Sequence, residues 1–130
     1  MVSAVDKSVG NRVFVDKQGV IHGVYHGSQT ARGLQRMIER ITKIMDRLIR
    51  QDRPVRLLLD IRDMGHYDLP ARLVEMHART VLPFWKLAFV TGGRHPAVEQ
   101  TSRKLTLMSG RRKEIRYFER EDDAIGWLSV

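Results

Sequence analysis

The sequence contains no cysteine, which excludes disulfide bonds, thiolate catalysis and cysteine-based zinc sites. No apolar run approaches the ~18–20 residues that a bilayer-spanning helix needs. The first residues show no charged start followed by an apolar core, so we expect no signal peptide. Together these absences predict a cytoplasmic protein.

The composition that remains is typical of a globular protein. The 130 residues are enough for one domain with a hydrophobic core. Hydrophobic residues make up 42% of the chain and charged residues 29%, which is ordinary for a folded domain. The net charge of +8 indicates either a non-specific affinity for nucleic acid and anionic lipid or simply a basic soluble protein.

Strand-like and helix-like segments alternate along the sequence, after a tail that we expect to be flexible over residues 1–11. The predicted strands cover residues 12–15, 20–26, 55–60, 86–91 and 114–118. The first two are joined by a turn that ends at Gly19 and therefore form an antiparallel hairpin. The order β-β-α-β-α-β-α-β-α predicts a single α/β domain over residues 12–130. Its mostly parallel sheet has about five strands, with the antiparallel hairpin at its N-terminal edge.

The predicted helices carry apolar residues at three- and four-residue spacing, which indicates one buried stripe in each. The first helix begins at a break over residues 27–30, with Ser28 or Thr30 as its N-cap, and ends before Pro54. Asp68 is the predicted N-cap of the second helix. The apolar stripe of the second helix comprises Leu69, Leu73, Met76 and Thr80.

The stretch from Val55 to Asp68 is the most informative part of the chain. Its first six residues, Val55 to Asp60, are apolar apart from Arg56 and the terminal aspartate, which predicts a strand buried on both faces, and an acidic loop follows. Ligands usually bind open α/β sheets at the carboxyl ends of the strands. We therefore predict a binding surface at this loop and at the end of the next strand. The surface comprises Asp60, Asp63, His66, Tyr67, Asp68, Arg94 and His95.

The three aspartates of this loop have two possible roles. Oxygen ligands at a strand end can hold Mg²⁺ or Ca²⁺, but the spacing of Asp60, Asp63 and Asp68 matches no known metal loop. In the structural alternative, Asp60 accepts N–H bonds from the loop, Asp63 shapes a turn and Asp68 caps the helix. We favour this alternative, which predicts neither a metal nor a cofactor.

The first predicted helix also carries a basic strip whose members are three or four residues apart. The strip comprises Arg32, Arg36, Arg40, Lys43, Arg47 and Arg50. It is either an electrostatic surface for the phosphates of nucleic acid or lipid, or a solvated face on which Glu39 and Asp46 pair with neighbouring bases. No aromatic residue lies among these bases for stacking on nucleobases.

Two smaller groups also have a functional and a structural interpretation. An apolar group at the end of the second helix is a lipid- or protein-binding surface if exposed and core if buried. It comprises Met76, Leu82, Phe84 and Trp85. His22 and His26 lie on one side of the second strand, about 13 Å apart along it, which is too far for a shared metal ion.

Three segments of the chain resemble one family. They are the strand, loop and helix start over residues 57–68, the strand over 86–91 with its glycine loop, and the ending over 117–128, where a phenylalanine precedes an acidic cluster and Ala-x-x-Trp-Leu. With the element order, the likeness covers about residues 12–128. The sequence resembles the STAS superfamily, the fold of bacterial anti-sigma-factor antagonists. Within it the chain is most similar to the SpoIIAA-like branch, some of whose members are similar to the lipid-binding CRAL-TRIO domain.

The phosphorylation switch of this family is missing from the chain. Family antagonists carry a phosphorylatable serine in an Asp-Ser-Ser or Asp-Ser-Gly motif at a helix start. When Asp60 is placed on the family's strand-end aspartate, Asp68 falls on the aspartate of the motif. Leu69 and Pro70 then occupy the serine positions, and neither can accept phosphate. The resemblance therefore implies docking without phosphorylation at this site.

We predict a non-enzymatic, regulatory STAS-like module that docks a protein partner or a small or lipid-like ligand through the loop after the central strand. The alternative is binding of an anionic polymer or a membrane surface through the basic strip. An enzyme would need a concave pocket that brings His66 or His95 near Asp60 or Asp63. The sequence leaves open whether the protein forms a homodimer.

Overall fold

The computed structural model describes residues 10–130, which form five strands and four helices. The strands are β1 (Arg12–Val15), β2 (Ile21–Gln29), β3 (Arg56–Tyr67), β4 (Lys86–Val90) and β5 (Ile115–Phe118). The helices are α1 (Ala31–Arg50), α2 (Leu69–Val81), α3 (Pro96–Ser109) and α4 (Glu121–Leu128). The predicted element order and α/β class are confirmed. Within the described part, no helix is long and apolar enough to cross a bilayer.

The five strands lie side by side in the order in which they occur along the chain. β1 pairs antiparallel with β2, and the later pairs are parallel, as predicted. Right-handed crossovers that step in one direction leave their helices on one face. Accordingly α1, α2 and α3 pack on one face of the sheet and α4 on the other. Because the strand order never reverses, the sheet has no topological switch point, where open α/β sheets usually bind ligands.

The hydrophobic core has two parts, one on each face of the sheet. In β3, Leu57 and Leu59 belong to the larger core under α1, α2 and α3, whereas Leu58 belongs to the smaller core under α4. This alternation follows from the two-residue period of a strand, and it confirms the predicted burial of β3 on both faces. Helix α1 contributes one apolar stripe to the larger core. The stripe comprises Leu34, Met37, Ile41, Met45 and Leu48.

Strand β3 is longer than predicted, and the predicted loop over residues 60–68 is wrong. β3 stays paired with β2 as far as Tyr67, which lies opposite Gln29. At two places β3 spends three residues where β2 spends two, the geometry of a β-bulge. The predicted break at residues 27–30 is wrong for the same reason, because β2 continues to Gln29. A side chain at Gly65 would meet the backbone nitrogen of Ser28 at 3.0 Å, so this glycine permits the close approach of the two strands.

Helix α2 does not bury the predicted stripe. Leu69, Leu73 and Thr80 are exposed, and Met76 is half-buried. The buried residues of α2 are Ala71, Glu75, Ala78 and Arg79. The two alanines let the helix lie close to the sheet. The two charged residues form an ion pair with each other, so the inner side of this helix is buried without an apolar stripe.

The N-terminal boundary also differs in detail from the prediction. Residues 1–9, most of the predicted tail, lie outside the described part. Asn11 is buried, and its amide nitrogen donates to Oε1 of Gln29 at 2.8 Å. Its amide oxygen accepts the backbone N–H of His26 at 3.0 Å. The packed domain therefore includes Asn11.

Candidate functional site

Asp60 lies where β3 loses its pairing with β4, and it is held by one arginine. Its carboxylate accepts the backbone N–H and Nε of Arg62 at 3.0 and 2.9 Å, and Nη2 at 2.7 Å. Burial alone would raise the pKa of Asp60, but the hydrogen bonds from Arg62 outweigh burial and lower it. The same guanidinium reaches Glu121 of α4 at 3.2 Å. Asp60 is thus an ionised side chain whose oxygens are already occupied.

The other predicted surface residues are only partly brought together. Asp63 and Arg94 form an exposed ion pair of 3.4 Å. His66 is exposed on β3, and His95 precedes α3 without a side-chain capping bond. Asp68 caps α2 by accepting the backbone N–H of Ala71 at 2.8 Å.

Tyr67 does not belong to this surface, contrary to the prediction. The second bulge of β3 turns its side chain into the larger core, where it is among the largest fully buried side chains. Its hydroxyl oxygen accepts Nη2 of Arg79 at 3.3 Å.

A polar cleft of about 470 Å³ opens at the carboxyl ends of β3, β4 and β5. Its walls carry both signs of charge. The charged lining residues are Arg62, Arg94, Glu119, Arg120, Glu121 and Asp122. Neither His66 nor His95 lines this cleft, so it is not the histidine–aspartate pocket that the enzyme hypothesis predicts. In residues 10–130, no three His, Asp or Glu side chains come close enough to hold a metal ion.

A buried polar network lies beneath α2, and no prediction from the sequence included it. Arg79 and Glu75 form an almost fully buried ion pair of 3.0 Å. Glu75 accepts the hydroxyl of Tyr25 at 3.1 Å, and Arg79 stacks over the ring of Phe89 at 4.4 Å. The remaining guanidinium bonds reach the backbone carbonyl of Ser102 and the side chains of Tyr67, Ser102, Thr106 and Tyr117.

This network ties α2 to α3 and to four strands of the sheet, β2 to β5. Burial alone would lower the pKa of Arg79, but the charge of Glu75 and the surrounding tyrosines together outweigh burial and raise it. Burial raises the pKa of Tyr67, so its hydroxyl stays protonated. The one available sequence signal was a glutamate and an arginine four residues apart on the helix face that also carries Ala71 and Ala78.

The outer side of α2 borders an apolar groove. Leu69 is 66% exposed, Leu73 57% and Val81 54%. A groove of about 610 Å³ runs between α1 and α2, with mostly apolar walls that include Ile38, Leu73 and Val74. Of the predicted apolar group near the end of α2, Phe84 is core, whereas Trp85 is about half exposed.

The basic strip of α1 lies beside this groove. Within the described residues, none of its six side chains forms an ion pair, and neither do Glu39 and Asp46. The expected local charge pairing is therefore not observed. Gln35 and Glu39 line the groove. Arg32 is three residues from Gln35, and Arg36 and Lys43 are three and four residues from Glu39, so these three bases neighbour the lining residues on the helix surface and lie at the groove's rim.

A family model described as SpoIIAA-like matches residues 20–129. The chain belongs to the SpoIIAA-like family. The predicted resemblance is thereby confirmed over most of the domain.

Comparison with solved structures agrees with this assignment. This SpoIIAA-like domain is similar in fold to an uncharacterized protein of the DUF3478 family from Shewanella loihica PV-4, which has a SpoIIAA-like fold. The two share 17% sequence identity with a TM-score of 0.60, over 91% of each chain. No curated protein matches the sequence.

Within the SpoIIAA-like domain, Leu69 and Pro70 stand at the first turn of α2, directly after the capping Asp68. These are the positions at which the resemblance places the family's serine motif. The start of α2 therefore presents an apolar side chain to the surface instead of a hydroxyl group. This start is continuous with the exposed apolar side of the helix.

Proposed function

We propose that this SpoIIAA-like domain is a non-enzymatic binding module that docks an acidic, amphipathic helix of a protein partner in the groove between α1 and α2. One observation carries the proposal: α2 buries Glu75 and Arg79 and exposes Leu69, Leu73 and Val81. Exposed apolar side chains grouped beside a groove are typical of an interaction surface.

The apolar groove supplies the attraction. Complete burial of a leucine or valine contributes about 1.5–3 kcal/mol, so covering the exposed half of Leu73 and Val81, which both line the groove, is worth about 1 kcal/mol for each. A helix laid between two helices contacts such a groove with residues three and four positions apart, the common mode of helix-in-groove recognition.

The basic strip supplies the preference for an acidic partner. Arg32, Arg36 and Lys43 at the rim have no acidic partner within the described part of this chain. Acidic residues along the flank of a docked helix would pair with them and orient it. The surface predicted around Asp63, His66, Arg94 and His95 lies beyond the capped start of α2, and we propose it as the secondary contact of the same partner.

The test compares two leucines of nearly equal exposure. Leu73→Asp places a charge in the groove, whereas Leu107→Asp places one on α3, where Leu107 is 61% exposed. A partner captured by the wild-type domain is identified, and its acidic helix is titrated as an isolated peptide by calorimetry. We expect Leu73→Asp to weaken binding at least about tenfold, and Leu107→Asp to leave it unchanged.

Other occupants of the groove give different results. If oleate binds the wild-type domain but not Leu73→Asp, the occupant of the groove is a lipid-like ligand rather than a helix. If sedimentation shows a wild-type dimer that Leu73→Asp dissociates, the occupant is a second copy of the chain. Equal peptide binding by both aspartate variants would contradict the proposal.

A second candidate function rests on the basic strip alone, because its bases have no ion pairs in the described part of the chain. It is electrostatic binding of nucleic acid or an acidic membrane surface, which weakens steeply with salt. The double variant Arg36→Glu/Lys43→Glu would abolish low-salt binding of single-stranded DNA or phosphatidylglycerol vesicles. Arg112→Glu/Lys113→Glu, on an exposed loop, is the matched control. Equal loss in both variants would leave only the net charge as an explanation.

A further inference from the structure

Within residues 10–130, the face of the sheet opposite the α1–α2 groove is covered by one helix. Helix α4 packs against β3, β4 and β5, and no other helix of this part of the chain lies over that face of the β1–β2 hairpin. A groove of about 420 Å³ lies between the hairpin and α4, within the range of roughly 300–1,000 Å³ that is usual for small-molecule sites. Its lining includes Phe14, Asp16, His22 and Ile125.

A fixed imidazole lines this groove. His22 stacks against Phe14 with ring centroids 4.6 Å apart and planes 10° from parallel. Its Nε2 lies 2.9 Å from Oδ2 of Asp16. The other oxygen of Asp16 accepts the backbone N–H groups of Gln18 and Val20. The stacking and the hydrogen bond therefore fix both the position and the plane of the ring.

Asp16 also determines which nitrogen of His22 carries the proton. Burial alone would raise the pKa of Asp16, but its hydrogen bonds with His22 and the backbone outweigh burial and lower it. An ionised carboxylate only accepts, so Nε2 is the donor. In a neutral ring Nδ1 is then a hydrogen-bond acceptor.

Nδ1 of His22 has no hydrogen-bond partner among residues 10–130, although the side chain is only 7% exposed. Within the same residues, the one unpartnered side-chain nitrogen or oxygen that is fully buried is Nε of Arg56. Nδ1 is therefore not fully enclosed, and the groove is the cavity that the His22 side chain lines. A ring nitrogen without a partner, on a side chain that is nine-tenths buried and whose other ring nitrogen is occupied, is available to a ligand.

The surroundings of Nδ1 favour a flat, uncharged ligand. Phe14 is 44% exposed and forms an apolar wall with Ile125 of α4. The carboxylates at the groove are already engaged, Asp16 by His22 and Glu121 by Arg62. The cationic lining residue, Lys17, is exposed on the hairpin turn, so its ammonium group stays in water. We propose that the groove binds a small, neutral, planar aromatic molecule whose N–H or O–H group donates to Nδ1 of His22.

The test uses two probes that differ in one hydrogen-bond donor. Indole carries an N–H group, and 1-methylindole has the same aromatic body without it. We expect indole to bind the wild-type chain about tenfold more tightly, the factor that one hydrogen bond to a buried acceptor provides. The ¹⁵N resonance of His22 Nδ1 should move as indole saturates the site.

A pair of variants completes the test. His22→Phe keeps an aromatic ring beside Phe14 but removes the acceptor, and it should reduce indole affinity to that of 1-methylindole. His26→Phe changes an exposed histidine of the same strand and should have no effect. If His22→Phe fails to fold, the difference in affinity between indole and 1-methylindole for the wild-type chain still tests the site. Equal affinity for both probes, or no saturable binding of indole, would overturn the site, whatever the outcome for the α1–α2 groove on the opposite face.

Discussion

Helices α1 and α2 lie side by side on the same face of the sheet, and they distribute polarity in opposite ways. Helix α1 buries an apolar stripe and exposes its bases. Helix α2 buries a glutamate and an arginine and exposes leucines. A helix face can therefore be buried either by apolar contacts or by a complete set of hydrogen bonds for its polar groups.

The largest effect is expected from breaking the network under α2. Arg79→Met leaves Glu75 buried with its charge unpaired, and the removal of one partner from a buried ion pair costs about 3–5 kcal/mol. Urea denaturation monitored by circular dichroism measures the free energy of unfolding. Glu75→Leu/Arg79→Met removes both charges and should recover most of the loss. A double variant as unstable as the single one would show that packing, rather than charge satisfaction, holds α2.

The matching change in α1 removes apolar volume. Leu34 is fully buried, so Leu34→Ala should cost about 2–5 kcal/mol through lost burial and the cavity that remains. Here a compensating second substitution on α1 is not expected to help, because the loss is not electrostatic. The same urea titration provides the measurement, and a loss under about 1 kcal/mol would mean that the α1 stripe is loosely packed.

At their N-termini the two helices should behave alike. Thr30 accepts the N–H of Gly33 at 3.1 Å, and Asp68 accepts that of Ala71 at 2.8 Å. Thr30→Ala and Asp68→Ala should therefore each destabilise the protein by about 1 kcal/mol. Thermal unfolding of both variants checks this. If only one of the two variants loses stability, the N-terminus of the other helix is held by tertiary contacts rather than by its cap.

The smallest effect is expected on the outer side of α2. Leu73→Ser removes an exposed apolar side chain and should change the free energy of unfolding by no more than about 0.5 kcal/mol. The same variant should weaken partner binding under the proposed function. A large loss of stability would instead assign Leu73 a structural role.

The sequence predicted the fold better than the candidate site. The apolar spacing of α1, the hairpin turn at Gly19 and the buried run after Val55 all depend on neighbours in sequence, and the corresponding elements form. The extension of β3 to Tyr67 depends on two bulges against β2, so residue alternation could not reveal it.

The inner face of α2 was mispredicted for a related reason. The apolar spacing of Leu69, Leu73 and Met76 is genuine, but it belongs to the outer side of the helix. Partners from distant parts of the chain make the burial of Glu75 and Arg79 acceptable; they are Tyr25, Ser102, Thr106 and Tyr117. The local pattern holds only the four-residue spacing of Glu75 and Arg79 and does not reveal these partners.

The uninterrupted strand order has a consequence for how the chain folds. Each strand pairs with the strand next to it in sequence, so most of the sheet is built from loop closures of moderate length and the contact order stays low for a parallel sheet. The long-range exception is α4, which folds back so that Arg56 at the start of β3 donates to the carbonyl of Leu128. We therefore expect the hairpin, α1 and β3 to assemble early. Docking of α4 then becomes the late step that closes the second face of the sheet.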